Sequence, residues 1–161
     1  RERVREAVRS RGLADRVVRL EHVGSTAVPD LAAKDVVDLD VVVADGAVES
    51  VADALVAELG GTRYENDPTW NPVARRHAGQ RFNDHVFAAS SDGWKVSVAT
   101  RDVLRARPDL REEYEALKRD LVADTDDLTE YSRGKTAFVE RLLTVARESD
   151  DLTSEFRVPT R

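Results

Sequence analysis

The sequence predicts an α+β fold: a short mixed β-sheet with helices packed on it and a C-terminal pair of helices. The strongest strand signal is Val36 to Val43, which reads Val-Val-Asp-Leu-Asp-Val-Val-Val and is rich in β-branched residues. The strongest helix signal lies in the C-terminal third, where Leu110, Tyr114, Leu117 and Leu121 recur at helical spacing. Strand signals in the first half followed by gathered helical signals are typical of the α+β class.

The first half of the chain predicts two helices and two strands. Residues 1–12 carry apolar residues at near-helical spacing and end at Gly12, which predicts an amphipathic helix. Val17 to Val23 predicts a strand that ends at Gly24, ahead of the strand at Val36 to Val43. The apolar periodicity from Ala47 to Leu59 predicts a helix that Gly60 and Gly61 end.

The second half is less uniform. Thr62 to Gly79 contains several turn signals, and we expect it to be the least regular part of the chain. Phe82 to Ala89 predicts a strand. Trp94 to Thr100 fits both a hairpin and a helix, and we favour a helix that runs to Pro108. The last predicted helix carries apolar and aromatic residues at helical spacing, at Tyr131, Phe138, Leu142 and Val145.

Composition excludes several classes of protein. The 161 residues have a net charge of −6 and 41% hydrophobic content, which predicts one soluble domain over residues 1–149, with 150–161 as a loose tail. The absence of cysteine excludes disulfides, thiolate metal sites and thiol nucleophiles. The mild acidic excess argues against a nucleic-acid partner. No apolar run is long enough to span a membrane, so we expect a cytoplasmic protein, and the missing initiator methionine suggests a chain that begins after its natural start.

One group of residues is a candidate for a metal and phosphate site: Gly24-Ser25, followed after twelve residues by Asp38-Leu39-Asp40. Strand side chains alternate, so Asp38 and Asp40 point to the same face. Holding two carboxylates side by side is costly unless a cation lies between them, and Mg²⁺ prefers such oxygen ligands. Gly24 and Ser25 offer a closely approachable backbone and a hydroxyl to a phosphate. This pattern is typical of the nucleotidyltransferase superfamily; the alternative is an exposed pair of aspartates in an Asp-rich chain.

Longer motifs resemble the GrpB-like family, a branch of that superfamily that also occurs fused to some dephospho-CoA kinases. The most specific match is His22-Val23-Gly24-Ser25-Thr26-Ala27-Val28-Pro29, followed by Leu31 to Asp38. Further matches follow in order over residues 16–147, at Asn83 to Phe87, Arg101 to Pro108, Tyr114 to Lys118, Tyr131, and Lys135 to Phe138. The resemblance implies a nucleotidyltransferase-like fold and a helix over Trp94 to Arg107.

The chain departs from the family at two points. It has Asp30 where the family usually has glycine, and it has Asp40 where many members have a non-acidic residue. Active nucleotidyltransferases usually carry a third carboxylate on a neighbouring strand, and Asp84 is the positional candidate here. If Asp84 points into the core, the carboxylate set is incomplete.

These observations predict a Mg²⁺-dependent nucleotidyltransferase, with Mn²⁺ as the alternative metal, that moves a nucleotidyl group from a nucleoside triphosphate to a small-molecule acceptor. Asp38 and Asp40 are the expected metal ligands, and His85 is the expected acid or base. The residues expected to bind phosphate or the acceptor are Gly24, Ser25, Thr26, Lys34, Arg101, Lys118 and Lys135. The alternative is a catalytically weak module that binds a nucleotide or another anionic ligand, and for each side chain an ordinary structural or surface role stays open. The sequence makes no prediction of oligomeric state.

Overall fold

The computed structural model describes residues 1–124, 130, 133–149, 152 and 155–160. The chain divides into two compact units: unit 1 comprises Arg1–Ala27 and Ala33–Trp94, and unit 2 comprises Val28–Ala32 and Lys95–Arg161. The strands are β1 Val17–Val23, β2 Val36–Val43, β3 Thr62–Arg63, β4 Trp70–His77 and β5 Gln80–Ala88. The α-helices are α1 Glu2–Ser10, α2 Val48–Leu59, α3 Gly93–Ala106, α4 Pro108–Asp124 and α5 Thr136–Arg147. The predicted α+β class is confirmed.

Unit 1 is built on a five-stranded mixed sheet in the order β1-β2-β5-β4-β3. β2 and β5 are parallel, whereas the other neighbouring pairs are antiparallel. The alternating side chains of β2 separate its two faces: Leu39, Val41 and Val43 pack in one buried cluster with residues of α1 and α2. Asp38 and Asp40 therefore lie on the face of β2 opposite to these helices.

The expectation of an irregular segment over Thr62 to Gly79 is wrong, because β3 and β4 lie within it. Pro72, which argues against a central strand, is tolerated in β4 for a local reason. Its carbonyl accepts from the backbone N–H of Tyr64 at 2.9 Å, just beyond the two-residue strand β3. The nitrogen of Pro72 points to the same side as that carbonyl, so the missing N–H falls where the ladder already ends. β4 then turns directly into β5.

Unit 2 contains the predicted C-terminal pair of helices. The cluster at its centre includes Leu110 of α4 with Leu142 and Leu143 of α5. The rings of Tyr114 and Phe138 stack with centroids 5.3 Å apart. The predicted helix over Trp94 to Arg107 is also confirmed, with α3 ending one residue earlier.

The C-terminal segment is described only in part, and Tyr131 lies outside the described residues. Val158 is buried in the cluster of unit 2, and an Arg147 Nη1 group donates to the Pro159 carbonyl at 2.8 Å. The domain at 1–149 and the tail at 150–161 stay predictions. Within the described residues, no helix is both long and apolar enough to cross a membrane.

Candidate functional site

The sheet register brings the predicted aspartates of β2 next to polar side chains of β1 and β5. Asp38 lies between Val23 of β1 and Asn83 of β5, and Asp40 lies between Glu21 and His85. Paired residues on adjacent strands share a face, so these side chains project from the face opposite to α1 and α2. Asp38, Asp40 and His85 therefore lie on one face of the sheet, and their catalytic and metal-binding roles stay predictions.

The Asp38 carboxylate is approached from two sides. Asn83 donates a hydrogen bond from Nδ2 to Oδ1 at 3.1 Å, and His85 Nε2 lies 3.7 Å from the same oxygen. On the other side, Gly24 has a φ of 69°, and a Cβ atom built there would lie 2.4 Å from Asp38 Oδ2. Both the left-handed backbone and the close carboxylate therefore require glycine at this position. The side chain of Asp38 remains 27% exposed.

Asp40 differs from Asp38 because it is fully buried. Its neighbour across the antiparallel pairing is Glu21, whose carboxylate accepts from Arg19 Nη2 at 3.0 Å. Glu21 is thus a third carboxylate on the same face that our sequence reasoning missed. The signal was available, because Glu21 stands two residues before Val23 and alternation predicts its face once the pairing of Val23 with Asp38 is known.

Asp84 does not belong to this face. It lies between Asn83 and His85 in β5, so it points to the opposite side, where its buried carboxylate accepts two hydrogen bonds from Arg75. Burial raises the pKa of the Asp84 carboxyl, and the Arg75 guanidinium opposes that rise. The candidate third carboxylate from the sequence is therefore the partner of an internal ion pair, because adjacent strand residues face opposite ways.

His85 contacts groups on both sides of its ring. The indole N–H of Trp70 donates to Nδ1 at 3.3 Å, and Nε2 faces Asp38. Burial lowers the pKa of the imidazole, but the carboxylates of Asp38, Asp40 and Asp84 outweigh burial and raise it above its usual value. The Trp70 bond opposes protonation, since Nδ1 can accept only while it carries no proton.

The turn after β1 carries the predicted phosphate-binding residues. Ser25–Ala27 form one turn of 3₁₀-helix, and the Ala27 N–H donates to the Gly24 carbonyl at 3.1 Å. Thr26 Oγ1 is hydrogen-bonded to His22 Nε2 at 3.0 Å, so His22 supports this turn. Lys34 is exposed in the loop that leads into β2. Gly24, Ser25, Thr26 and Lys34 thus flank the start of β2 within unit 1.

Arg101, Lys118 and Lys135 belong to unit 2. The buried Arg101 guanidinium donates to Asp102 at 2.7 and 3.1 Å. Burial lowers the pKa of Lys118, and the nearby charge of Lys135 adds to that effect, whereas Glu115 opposes it. The two lysines are therefore brought together within unit 2, and their phosphate-binding role, like that of Arg101, stays a prediction.

Lys118 has two neighbours of its own in unit 2. Its ammonium donates to the carbonyl of Ala32 and lies 5.2 Å from the centre of the Tyr114 ring. Asp30, in the same short segment as Ala32, has a φ of 60°, which is a conformation that glycine adopts more readily. The resemblance implies a glycine at this position, and this backbone conformation favours one.

The β2 face carries two aspartates, and carboxylate oxygens are the ligands that a hard divalent cation prefers. Within the described residues, no three carboxylate, imidazole or thiolate groups are arranged to hold a metal ion. Mg²⁺ does not need such a cage, because it is usually bound through one or two carboxylates together with water and substrate phosphates. Asp38 and Asp40 share one face, and Asp38 lies against a turn whose glycine admits no larger residue; their role as metal ligands stays a prediction.

Comparisons with known proteins agree with the motif resemblance. The chain is 40% identical to a UPF0157 protein of Deinococcus radiodurans over 135 residues, which cover 81% of this chain and 69% of that protein. A UPF0157 protein of Halalkalibacterium halodurans is 31% identical, with 86% and 73% of the two chains covered. A dephospho-CoA kinase of Mycolicibacterium paratuberculosis is 34% identical over 65% of this chain, but this match covers 32% of that protein.

The chain is also similar to a solved structure. The crystal structure of conserved protein GrpB from Enterococcus faecalis matches with a TM-score of 0.67 and 26% identity, and the match covers 90% of both chains. The family model described as GrpB protein matches residues 1–144, nearly the whole chain. The chain therefore belongs to the GrpB family, as the motifs at His22 to Pro29 and Leu31 to Asp38 predicted.

Proposed function

We propose that this protein is a Mg²⁺-dependent nucleotidyltransferase that moves a nucleotidyl group from a nucleoside triphosphate to a small-molecule acceptor. The observation that carries the proposal is the placement of Asp38 and Asp40 on one face of β2, with the Gly24 turn in contact with Asp38. Two adjacent carboxylates favour a bound cation, and a close backbone turn favours a phosphate next to it. The superfamily assignment of the family's signature supports the same chemistry by analogy.

Nucleotidyl transfer joins an acceptor oxygen to the α-phosphorus of the triphosphate and breaks the bond to pyrophosphate, which leaves. In the proposed reaction the turn at Gly24, Ser25 and Thr26 binds the triphosphate through backbone N–H groups and hydroxyls. Asp38 and Asp40 would hold Mg²⁺, or alternatively Mn²⁺, which supplies charge stabilisation at the reacting phosphorus. His85 would exchange a proton through Nε2, because Nδ1 already accepts from Trp70.

A second candidate function is a binding module without turnover. Two observations favour it: Asp40 is fully buried, and Asp84 is committed to Arg75 on the opposite face. A site with one accessible carboxylate retains affinity for a metal-bound anion but lacks part of the charge that catalysis uses. The two functions share the ligand and differ in whether a product forms.

Titration calorimetry tests the shared part. We expect ATP or GTP to bind in the presence of Mg²⁺ and to bind much more weakly when EDTA replaces the metal. Asp38→Asn and Asp40→Asn should abolish the Mg²⁺-dependent component, because an amide is a poor ligand for this cation. Asp15→Asn is the matched control, since Asp15 is exposed and lies outside the polar face. Equal affinity in the wild type and both site variants would refute the metal site.

Turnover separates the two candidates. Wild-type protein incubated with Mg²⁺, a nucleoside triphosphate and a panel of small hydroxyl-, amine- and phosphate-bearing acceptors should release pyrophosphate with one of them. The same panel with Asp38→Asn should release none. Metal-dependent binding without pyrophosphate release across the panel would instead support the binding module.

A further inference from the structure

Trp70 lies beside His85, and its contact with the imidazole determines which ring nitrogen of His85 carries the proton. Its indole nitrogen carries a hydrogen and has no lone pair to offer, so it can only donate. Nε1 lies 3.3 Å from Nδ1 of His85. Nδ1 must therefore be the acceptor, and a neutral imidazole has one N–H, which this contact places on Nε2.

The opposite nitrogen of His85 points at the candidate metal ligand. Nε2 lies 3.7 Å from Asp38 Oδ1, and Asn83 Nδ2 donates to the same oxygen at 3.1 Å. Both side chains belong to β5 and face Oδ1, although only Asn83 is within hydrogen-bond distance, while Oδ2 lies against Gly24. If the proton were on Nδ1 instead, the Nε2 lone pair would face a carboxylate oxygen, and the two would repel each other.

The indole is held in place by packing. It stacks on Phe87 with centroids 5.7 Å apart and an interplanar angle of 13°, and its centroid is 5.9 Å from that of His85. Phe87 is buried, and the Trp70 backbone forms a bridge with Asp67. Because these contacts fix the ring plane, the direction of the N–H is fixed as well.

We propose that Trp70 is a positioning residue: it fixes His85 in the Nε2–H tautomer, so that His85 and Asn83 together orient the Asp38 carboxylate. Groups that hydrogen-bond to a metal-binding carboxylate set its direction and its affinity. The bearing of this arrangement on metal binding rests on the proposed function, whereas the tautomer itself is a property of the metal-free protein.

The first test needs no variant. In ¹⁵N-labelled, metal-free protein, at a pH high enough to keep His85 neutral, the imidazole shifts should show a protonated Nε2 and an unprotonated Nδ1. A through-hydrogen-bond ¹⁵N–¹⁵N coupling should connect Trp70 Nε1 to His85 Nδ1. A protonated Nδ1 would overturn the proposal, and this result does not depend on the folding of any variant.

The second test compares the two tryptophans of the chain. Trp70→Phe keeps an aromatic ring for Phe87 but removes the N–H, so His85 should acquire a measurable Nδ1–H population. Trp94→Phe is the matched control, because the Trp94 indole donates to the Ala89 carbonyl at 3.2 Å and not to His85. An unchanged His85 tautomer in folded Trp70→Phe would overturn the proposal.

Mg²⁺ alone, without nucleotide, gives the third readout. Trp70→Phe should weaken Mg²⁺ binding by about tenfold, the size expected when an outer hydrogen-bonding partner is lost, while Trp94→Phe retains wild-type affinity. Equal affinities for the wild type and Trp70→Phe would overturn the orienting role. If wild-type protein binds neither Mg²⁺ nor nucleotide, the proposed function fails. The ¹⁵N spectra of the metal-free protein then still decide whether Trp70 fixes the His85 tautomer.

Discussion

Asp38 and Asp84 belong to neighbouring strands of one sheet, yet the surroundings of Asp38 suit a binding site and those of Asp84 suit a structural ion pair. Asp38 is partly exposed and accepts a hydrogen bond from Asn83 on Oδ1, so its carboxylate keeps contact with solvent. Asp84 is fully buried and accepts two hydrogen bonds from Arg75, whose guanidinium lies 4.2 Å from the centre of the Phe82 ring. Both oxygens of Asp84 are committed, so its role is structural.

Removing one partner of this internal ion pair should be severe. We expect Arg75→Met to lower the free energy of unfolding by about 3–5 kcal/mol, because it leaves the buried Asp84 carboxylate without its compensating charge. Chemical denaturation monitored by circular dichroism measures this change.

The double variant Arg75→Met/Asp84→Leu is the control for that prediction. It removes both charges, so most of the lost stability should return. A double variant as unstable as Arg75→Met alone would contradict the ion-pair explanation and point to packing by the Arg75 side chain.

The raised pKa of His85 predicts a pH dependence of stability in the metal-free protein. Since the folded protein binds this proton more tightly than the unfolded chain, the stabilisation is fully present below about pH 6.5 and is lost as the pH rises through the folded pKa. NMR titration should give a His85 pKa above the usual value, and Asp38→Asn should lower it because a neighbouring negative charge is removed.

Two further results bear on this prediction. His85→Gln should remove the part of the stability change that falls in this pH window, as urea unfolding at several pH values would show. A wild-type His85 pKa below 6.5 would mean that burial and the Trp70 bond outweigh the three carboxylates.

At the scale of elements, the turn of the β4–β5 hairpin holds an alanine in an unfavourable backbone conformation that a substitution should relieve. Its turn places Ala78 at a φ of 48° and Gly79 at 83°, which are the two positive φ angles of a type I′ turn. Asparagine tolerates this region better than alanine, and Ala78 is exposed, so no packing is lost. We expect Ala78→Asn to raise the free energy of unfolding by about 0.5–1 kcal/mol.

Ala78→Val is the contrasting variant for the turn. A β-branched side chain is strongly disfavoured at positive φ, so this change should lower the melting temperature. Thermal melts of the three proteins give the order Asn, Ala, Val if the turn geometry is correct. A stabilising Ala78→Val would contradict it.

The same hairpin shows how far sequence reasoning reaches. β2 and the helices were predictable, because a β-branched run and a helical apolar period are local signals. β4 was not, because Pro72 and Asn71 are turn signals whose cost disappears only through the end of β3 and the pairing with β5. Whether such a segment forms a strand depends on its pairing with distant strands, and the local sequence pattern contains no information about that pairing.

The candidate site divides in a similar way. The alternation rule put Asp38 and Asp40 on one face from sequence alone. It could not say which residues of β1 and β5 share that face, since this depends on strand register. Glu21 and the contacts of Asn83 and Trp70 were therefore missed, and the face of Asp84 stayed open. The family resemblance identified the motif that contains Asp38, whereas only the strand register shows which side chains lie next to it.

At the scale of the whole molecule, a ligand that binds only the folded protein must raise its melting temperature. At a ligand concentration about 100 times its dissociation constant, the stabilisation is about 2.7 kcal/mol. For a chain of this length, 1 kcal/mol shifts the midpoint by about 2–4 °C, so Mg²⁺ with ATP or GTP should raise the melting temperature by about 5–10 °C. Differential scanning calorimetry with the metal alone, the nucleotide alone and both together measures it.

This whole-molecule shift should depend on one carboxylate in 31 acidic residues. Asp38→Asn should abolish the joint effect of metal and nucleotide, whereas Asp15→Asn, the same chemical change at an exposed position, should retain it. The comparison separates a specific site from general screening, because removing either acid changes the net charge of −6 by the same amount. An equal shift in both variants would mean that the nucleotide binds elsewhere, and the polar face of β2 would then lose its proposed ligand.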